Sequence, residues 1–272
     1  MKSVEYFVAN PAGNITIFVV SPAERSEYQE IAKELLAIDE LHGEQVGFIK
    51  DGNRMEMCGL EFCGNASRSF ALWYAKNRVG LSGKGKVTVE VSGTDAPIDV
   101  EIDTDTCYTK IEMPKPKRVM NWREVGSDGA DGVLVDLGGI MHLVLRDVPA
   151  SAEGFEKYKK EINEKYNPPA MGVMFVNNKT LEMTPVVYVR DVDTTYFEGS
   201  CGSGSVATAV ALALEKASGE YSFELTQPAG KIVASAAKGV ESPENVAGIE
   251  KVYIEGVVEL GPMRYLKNDR NY

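Results

Sequence analysis

Two short runs set a cysteine before a glycine just where a helix-like run begins: Glu61-Phe62-Cys63-Gly64-Asn65-Ala66 and Gly199-Ser200-Cys201-Gly202-Ser203-Gly204. A thiol at a helix N-terminus meets unpaired backbone N–H groups and the positive end of the helix dipole. That setting is expected to pull its pKa down from about 8.5 toward neutrality. The glycine after each cysteine removes side-chain bulk, so neighbouring backbone donors could reach a ligand carboxylate. A lone cysteine is usually a small, inert core residue. Two in matching surroundings argue for chemistry, and two opposed thiols suit inversion of an amino acid at its alpha carbon. One thiolate removes the alpha proton from one face while the other thiol returns a proton to the opposite face. N–H donors would meet the negative charge that grows on the substrate carboxylate, so no pyridoxal cofactor is required. Reacting atoms must approach within about 3–3.5 Å, which sets the sulfurs about 7 Å apart across a substrate and calls for opposed domains.

The elements that must position these thiols repeat. Laid on each other, residues 63–75 and 201–213 agree at five of thirteen positions: Cys63/Cys201, Gly64/Gly202, Ser67/Ser205, Ala71/Ala209 and Ala75/Ala213. Downstream, Gly93 follows its cysteine by 30 residues and Gly230 by 29, each closing a strand-like run. The order cysteine, helix, strand, glycine therefore occurs twice. Apolar spacing predicts helices over about 24–38, 64–77 and from Cys201 onward, the last with Gly219 as its C-cap, and a charged amphipathic helix over Ser151–Tyr166. Period-two alternation predicts strands at KVTVEVS, PIDVEID and TKIEMP, and VEYFVAN, NITIFVVS, GVMFVN and TPVVYVRDV, among others, also read as strands. Two prolines and three basic residues in MPKPKRV interrupt both periods and mark a boundary near residue 116.

Composition narrows the partners. The chain has 272 residues, 44% of them hydrophobic, and a net charge of -11. That charge argues against nucleic acid, which needs a basic face, and in favour of a small-molecule ligand. The opening MKSVEYFVAN has no apolar core for a signal peptide. No later stretch reaches the roughly 20 apolar residues of a membrane helix, and the expected location is the cytoplasm. Four cysteines are too few for a disulfide scaffold in so long a chain. Cys58 with Cys63 lacks a second pair and gains no zinc spacing from His42 or His142, so no metal is expected. Cys58 and Trp73 are expected in the core. His142, in an alternating strand, is expected to be structural. The run from Cys201 to Ser205 lacks the lysine of a phosphate loop.

The Cys63-Gly64-Asn65 run, the SCGSG at 200–204 and the PAGNITIFV at 11–19 resemble the diaminopimelate epimerase superfamily of cofactor-independent racemases, across essentially the whole chain. The resemblance implies an α/β (α+β) fold of two pseudo-symmetric domains, each a curved, mainly antiparallel sheet or barrel around a central helix. Residues 1–116 with about 262–272 returning would form the first, 117–261 the second. It implies Cys63 and Cys201 as the two acid/base thiols. Asn14 and Asn65 become substrate contacts, Gly64, Gly202 and Ser203 backbone anion donors, and the expected assembly is a homodimer.

Departures shift the expected substrate. Diaminopimelate epimerases carry Gly-Asn-Pro-His where this chain has Gly139-Ile140-Met141-His142, and an asparagine where Gly172 stands. Their Glu-Arg pair ahead of the second cysteine is absent here, where Asp191 and Asp193 occur with no arginine following either. The runs GEQVGFI at 43–49, GLEFCGNA at 59–66, MGVMF at 171–175 and FEGSCGSG at 197–204 instead resemble the histidine racemases of this superfamily. That match makes Glu44 the residue that holds the substrate imidazole, whose N–H suits a charged acceptor. L- and D-histidine are then the expected substrates. The alternatives are a diaminopimelate epimerase or another amino acid racemase, a cysteine hydrolase or acyltransferase using Cys201 with His142, and a non-catalytic amino acid binding protein.

Overall fold

A computed structural model describes residues 4–191 and 193–266. Residues 1–3 and 267–272 of the expected first domain lie outside them. The chain parts into two compact units, one running to Ile111 and resuming at Glu255, the other spanning Glu112–Ile254.

In the first unit, β1 (Val4–Asn10) and β2 (Thr16–Val19) pair antiparallel. A 3-10 turn at Arg25–Glu27 leads into α1 (Tyr28–Leu36). Its buried Tyr28, Ile31, Ala32 and Leu35 fall at the helical spacing the sequence predicts. Then come β3 (Gln45–Ile49), β4 (Arg54–Met57), α2 (Gly64–Tyr74) with a π turn at Ala75–Val79, β5 (Lys84–Val91), β6 (Ile98–Asp103) and β7 (Tyr108–Met113). Strand order is β7-β6-β5-β4-β3-β2-β1, antiparallel except where β2 meets β3 and β4 meets β5. Every residue of α2 from Gly64 to Trp73 is buried, which makes it the central helix of its unit. Phe7, Phe18 and Trp73 stack at 5.0 and 5.4 Å, fixing α2 to β1 and β2.

The second unit holds β8 (Arg118–Asn121), α3 (Trp122–Val125), β9 (Gly132–Asp136), β10 (Met141–Arg146), α4 (Ala152–Tyr166), β11 (Ala170–Val176), β12 (Met183–Val189) and β13 (Thr194–Phe197). These strands form a six-stranded sheet, β13-β12-β11-β10-β9-β8, parallel only between β10 and β11. Next follow α5 (Gly202–Ala213), the hairpin of β14 (Gly219–Gln227) and β15 (Gly230–Lys238), and β16 (Ile249–Val257). Buried from Gly204 to Ala213, α5 packs against β9, β10, β11, β14 and β15. Phe155, Tyr158 and Ile162 of α4 join the sheet core, and its charged residues remain outside.

Past Glu255 the chain re-enters the first unit, where β17 (Glu259–Leu260) and β18 (Arg264–Leu266) both pair with β1. Each unit thus wraps mostly antiparallel strands around a buried helix that starts at a cysteine. Among the described residues, no helix is long and apolar enough to cross a membrane.

One capping expectation is corrected. Gly219 does not close α5; it opens β14. The ammonium of Lys238 instead donates to the carbonyls of Leu214 and Lys216 at 2.6 and 2.7 Å, satisfying the helix end from the neighbouring strand.

Candidate active site

Cys63 and Cys201 occupy the same local structure. Each is an N-cap with extended backbone, φ/ψ of -129°/111° at Cys63 and -130°/113° at Cys201. Each sulfur accepts from the third backbone N–H of its helix, Ala66 at 3.5 Å and Gly204 at 3.4 Å. The serines that match in the repeat do the same job twice: Ser67 Oγ donates to the Cys63 carbonyl at 2.7 Å and Ser205 Oγ to the Cys201 carbonyl at 2.6 Å. The approach to each cysteine is held by the end of a strand. In the first unit Ser92 Oγ donates to the Glu61 carbonyl at 2.8 Å. Gly93, at φ 76°, leaves no room for a side chain, since a Cβ would lie 2.2 Å from the Phe62 nitrogen. In the second unit Gln227 Oε1 accepts from the Cys201 N–H at 2.8 Å, and the Ala229 N–H donates to Gly199 O.

Around Cys63 the sequence-predicted residues come together with one that the sequence did not point to. Gln45, at the start of β3, donates through Nε2 to Asn14 Oδ1 at 2.8 Å, Thr16 Oγ1 at 2.9 Å and Cys63 Sγ at 3.3 Å. The Cys63 thiol in turn faces Asn14 Oδ1 at 3.7 Å. Asn14 reaches this place from a turn in which Ala12, Gly13 and Asn14 all have positive φ. Asn65 is buried, with Nδ2 lacking a partner among the described residues. Glu44 is exposed beside the same turn, one oxygen accepting from the Ile15 N–H at 3.1 Å.

Around Cys201, Ser203 Oγ lies 3.6 Å from the sulfur and 2.8 Å from Nε2 of His142 on β10. His142 is fully buried, and burial lowers its pKa to about 3, so the imidazole is neutral. Its Nδ1 has no partner among the described residues, so His142 is only half satisfied. Gly172 lies opposite on β11, and a Cβ there would meet Nδ1 at 2.6 Å. The ring occupies the space that an asparagine at 172 would need. The charge of Glu198, three residues ahead of Cys201, acts on its thiol.

Both thiols depart from the expected titration. Burial pushes Cys63 up, against the opposing pull of the Ala66 N–H and Gln45, and the Glu61 charge adds to the rise. Burial pushes Cys201 up further, assisted by Glu198 and resisted by Ser203 and the Gly204 N–H. The helix-start donors are present as foreseen, but loss of hydration outweighs them. Such a thiolate forms less readily and is a stronger base once formed, which suits removal of a proton from carbon. The two sulfurs also differ. Cys63 receives a side-chain amide donor from Gln45, which favours a thiolate, whereas Cys201 has the Glu198 charge acting on it, which favours a thiol.

Of the residues missed from the sequence, Gln45 lay inside the GEQVGFI run but carried no chemical signal of its own. Glu198 lay within FEGSCGSG, and a carboxylate close ahead of a cysteine, as Glu61 also is, could have been noticed twice.

Residues 3–262 match the family described as histidine racemase CntK N-terminal domain. A histidine racemase of Fusobacterium nucleatum is 32% identical over 267 residues, covering 93% of this chain and 98% of the relative. One from Staphylococcus aureus is 28% identical over 244 residues, covering 86% of this chain and 88% of the relative. Among solved structures, a Bacillus anthracis phenazine biosynthesis protein of the PhzF family superposes with a TM-score of 0.68 at 14% identity, over 98% of this chain and all of the other. A hydroxyproline epimerase from Agrobacterium vitis does so at 0.62 and 12% identity, over 98% of this chain and 91% of the other. At those identities the likeness is one of fold.

Proposed function

The chain belongs to the histidine racemase family, and from that premise we propose that it interconverts L- and D-histidine without a cofactor, Cys63 and Cys201 exchanging protons with opposite faces of the alpha carbon. It is an isomerase, a racemase by its relatives. The observation that carries the two-thiol mechanism is the duplicated cysteine N-cap, with the same backbone angles and the same N–H donor on each sulfur.

In the resting enzyme Cys63 serves as the base, because Gln45 and the Ala66 N–H stabilise its thiolate. Cys201, whose thiol form the Glu198 charge favours, serves as the acid. When Cys63 takes the alpha proton, the electron pair left on carbon delocalises into the substrate carboxylate. The backbone N–H groups of Gly64, Asn65, Gly202 and Ser203, with the side chains of Asn14 and Asn65, meet that charge. Cys201 delivers its proton to the opposite face, and the enantiomer leaves with the roles of the two thiols exchanged. Glu44 accepts the imidazole N–H and sets the choice of histidine. The homodimer and the cytoplasmic setting expected above belong to the same proposal.

Incubation of L-histidine with the enzyme in deuterated water, followed by polarimetry and proton NMR, tests the proposal. Optical rotation decays to zero, and the D-histidine formed carries deuterium at the alpha carbon. Cys63→Ser and Cys201→Ser each abolish inversion, although one remaining thiol can still exchange the alpha proton of one enantiomer. Full turnover in either variant refutes the two-base assignment. Absence of exchange with every amino acid refutes racemisation.

A further inference from the structure

Arg68 sits in α2, five residues past Cys63, and is fully buried. Among the described residues no carboxylate pairs with it. Its guanidinium is satisfied by neutral acceptors alone: Nε donates to Asn65 Oδ1 at 3.2 Å, Nη2 to the Pro11 carbonyl at 2.8 Å, and Nη1 to the Gly256 carbonyl at 3.1 Å and Thr109 Oγ1 at 3.3 Å. Burial lowers its pKa to about 10, against the opposing electrostatic pull of the Cys63 sulfur and Tyr108, which leaves it charged at neutral pH. Burying an unpaired cation is costly, and an apolar side chain of similar volume often serves folding as well or better. The bonds themselves show what this cation does.

The first fixes an amide. Arginine can only donate, so the Asn65 oxygen must face Nε and the Asn65 nitrogen must point away. That nitrogen is the buried Nδ2 without a partner, a donor held in one orientation two residues past Cys63. The second fixes a strained turn. Pro11 immediately precedes Ala12, Gly13 and Asn14, with φ of 68°, 86° and 56°. Non-glycine residues persist in that region only where their surroundings hold them. Asn14 reaches Gln45 and Cys63 only from this turn. One side chain thus anchors both asparagines of the Cys63 half-site.

We propose that Arg68 is the positioning residue for the amino acid head group: it aims Asn65 Nδ2 at the substrate carboxylate, holds the 12–14 turn that presents Asn14, and keeps a positive charge within reach of the Cys63 sulfur. The first two parts rest on the racemase function proposed above; the third does not.

The test compares wild type, Arg68→Lys, Arg68→Met, Asn65→Ala and the Arg68→Lys/Asn65→Ala double variant, by KM and kcat for histidine, melting temperature, and alkylation of Cys63 and Cys201 by iodoacetamide read by mass spectrometry. Lysine keeps the charge but not the fork. In Arg68→Lys, KM rises about tenfold, the scale of a lost hydrogen bond to a charged group, while kcat changes less and Cys63 alkylation stays near wild type. The Asn65→Ala change then adds little, because its function is already lost. Independent, multiplying losses in the double variant overturn the proposal, as does a fall in melting temperature with KM unchanged. In Arg68→Met the ratio of Cys63 to Cys201 alkylation falls several-fold, since a thiolate loses its neighbouring cation. An unchanged ratio overturns the electrostatic part. If the wild-type enzyme racemises no amino acid, the functional proposal and the head-group part fail together, and the alkylation ratio still decides the third part.

Discussion

Replacing Gln45 by methionine tests the donor that the structure places against Cys63. The amide has two hydrogens for three acceptors, at 2.8, 2.9 and 3.3 Å, the last being the sulfur. Methionine keeps the length of the side chain and removes the donors. A hydrogen bond to a charged group contributes about 1.5–3 kcal/mol. A contact to sulfur belongs at the lower end, and about 1.4 kcal/mol corresponds to a tenfold change in rate. The kcat/KM for histidine should therefore fall about tenfold. Because the lost bond favoured the thiolate, the Cys63 thiol rises further, and the limb of the pH profile that reports thiolate formation moves to higher pH. Gln45→Glu puts a carboxylate where the donor stood, so its limb moves further still and its rate near neutrality is lower than that of Gln45→Met. Initial rates by polarimetry from pH 6 to 10, with melting curves to separate stability from catalysis, decide the matter. An unshifted limb in Gln45→Met, or a Gln45→Glu enzyme as fast as Gln45→Met at neutral pH, refutes the role given to Gln45.

Gly93→Ala should destabilise the fold by about 2 kcal/mol or more, since strain at positive φ adds to overpacking and the new Cβ would meet backbone that has nowhere to move. Gly52→Ala, at a similar φ of 75° but with nothing within 4 Å, should cost clearly less in the same urea titration. Glu56 is held by Arg25, Arg54 and Tyr28, which bring its pKa from 4.5 to about 2. A depressed carboxylate stabilises the fold above its unfolded pKa, and that contribution disappears as pH falls through the folded one. Melting temperature should therefore drop between about pH 4.5 and 2 in the wild type, and less steeply in Glu56→Gln. Glu44→Gln retains an acceptor for the Ile15 N–H but loses the charge. It should raise KM for histidine more than for other amino acids it accepts, and equal losses for all of them reject Glu44 as the selector.

The repeat was legible because its signals are local. A cysteine N-cap, a glycine after it and a serine bonded back to its carbonyl all lie within five residues, so Cys63/Cys201 and Ser67/Ser205 stand out by alignment of the chain with itself. Strands with clean alternation, such as β5, β6 and β7, were readable for the same reason. Short β8 and β13, with mostly half-buried or exposed residues, carry no such pattern. What remained hidden depends on distant contacts. Gln45 meets Cys63 across 18 positions, and Lys238 ends α5 from 24 positions beyond Leu214, where the sequence had pointed to Gly219. The direction of the thiol shifts was misread because the helix start is a local property, whereas desolvation comes from everything packed around the sulfur.

The route of the backbone sets an order of assembly. The first unit leaves off at Ile111 and resumes at Glu255, so on the ribosome it waits while the whole second unit is synthesised. At about 5–20 residues per second that delay lasts on the order of ten seconds. Until Gly256 emerges, the Arg68 guanidinium lacks one of its carbonyl acceptors. Until Val258 and Gly261 follow, the carbonyls of Cys107 and Val8 lack the N–H groups that pair with them in the finished fold. The uninterrupted second unit can fold first, and the half that carries Cys63 closes last. A released chain ending before residue 255 would therefore keep the helix and sheet around Cys201 while the half that carries Cys63 stayed incomplete.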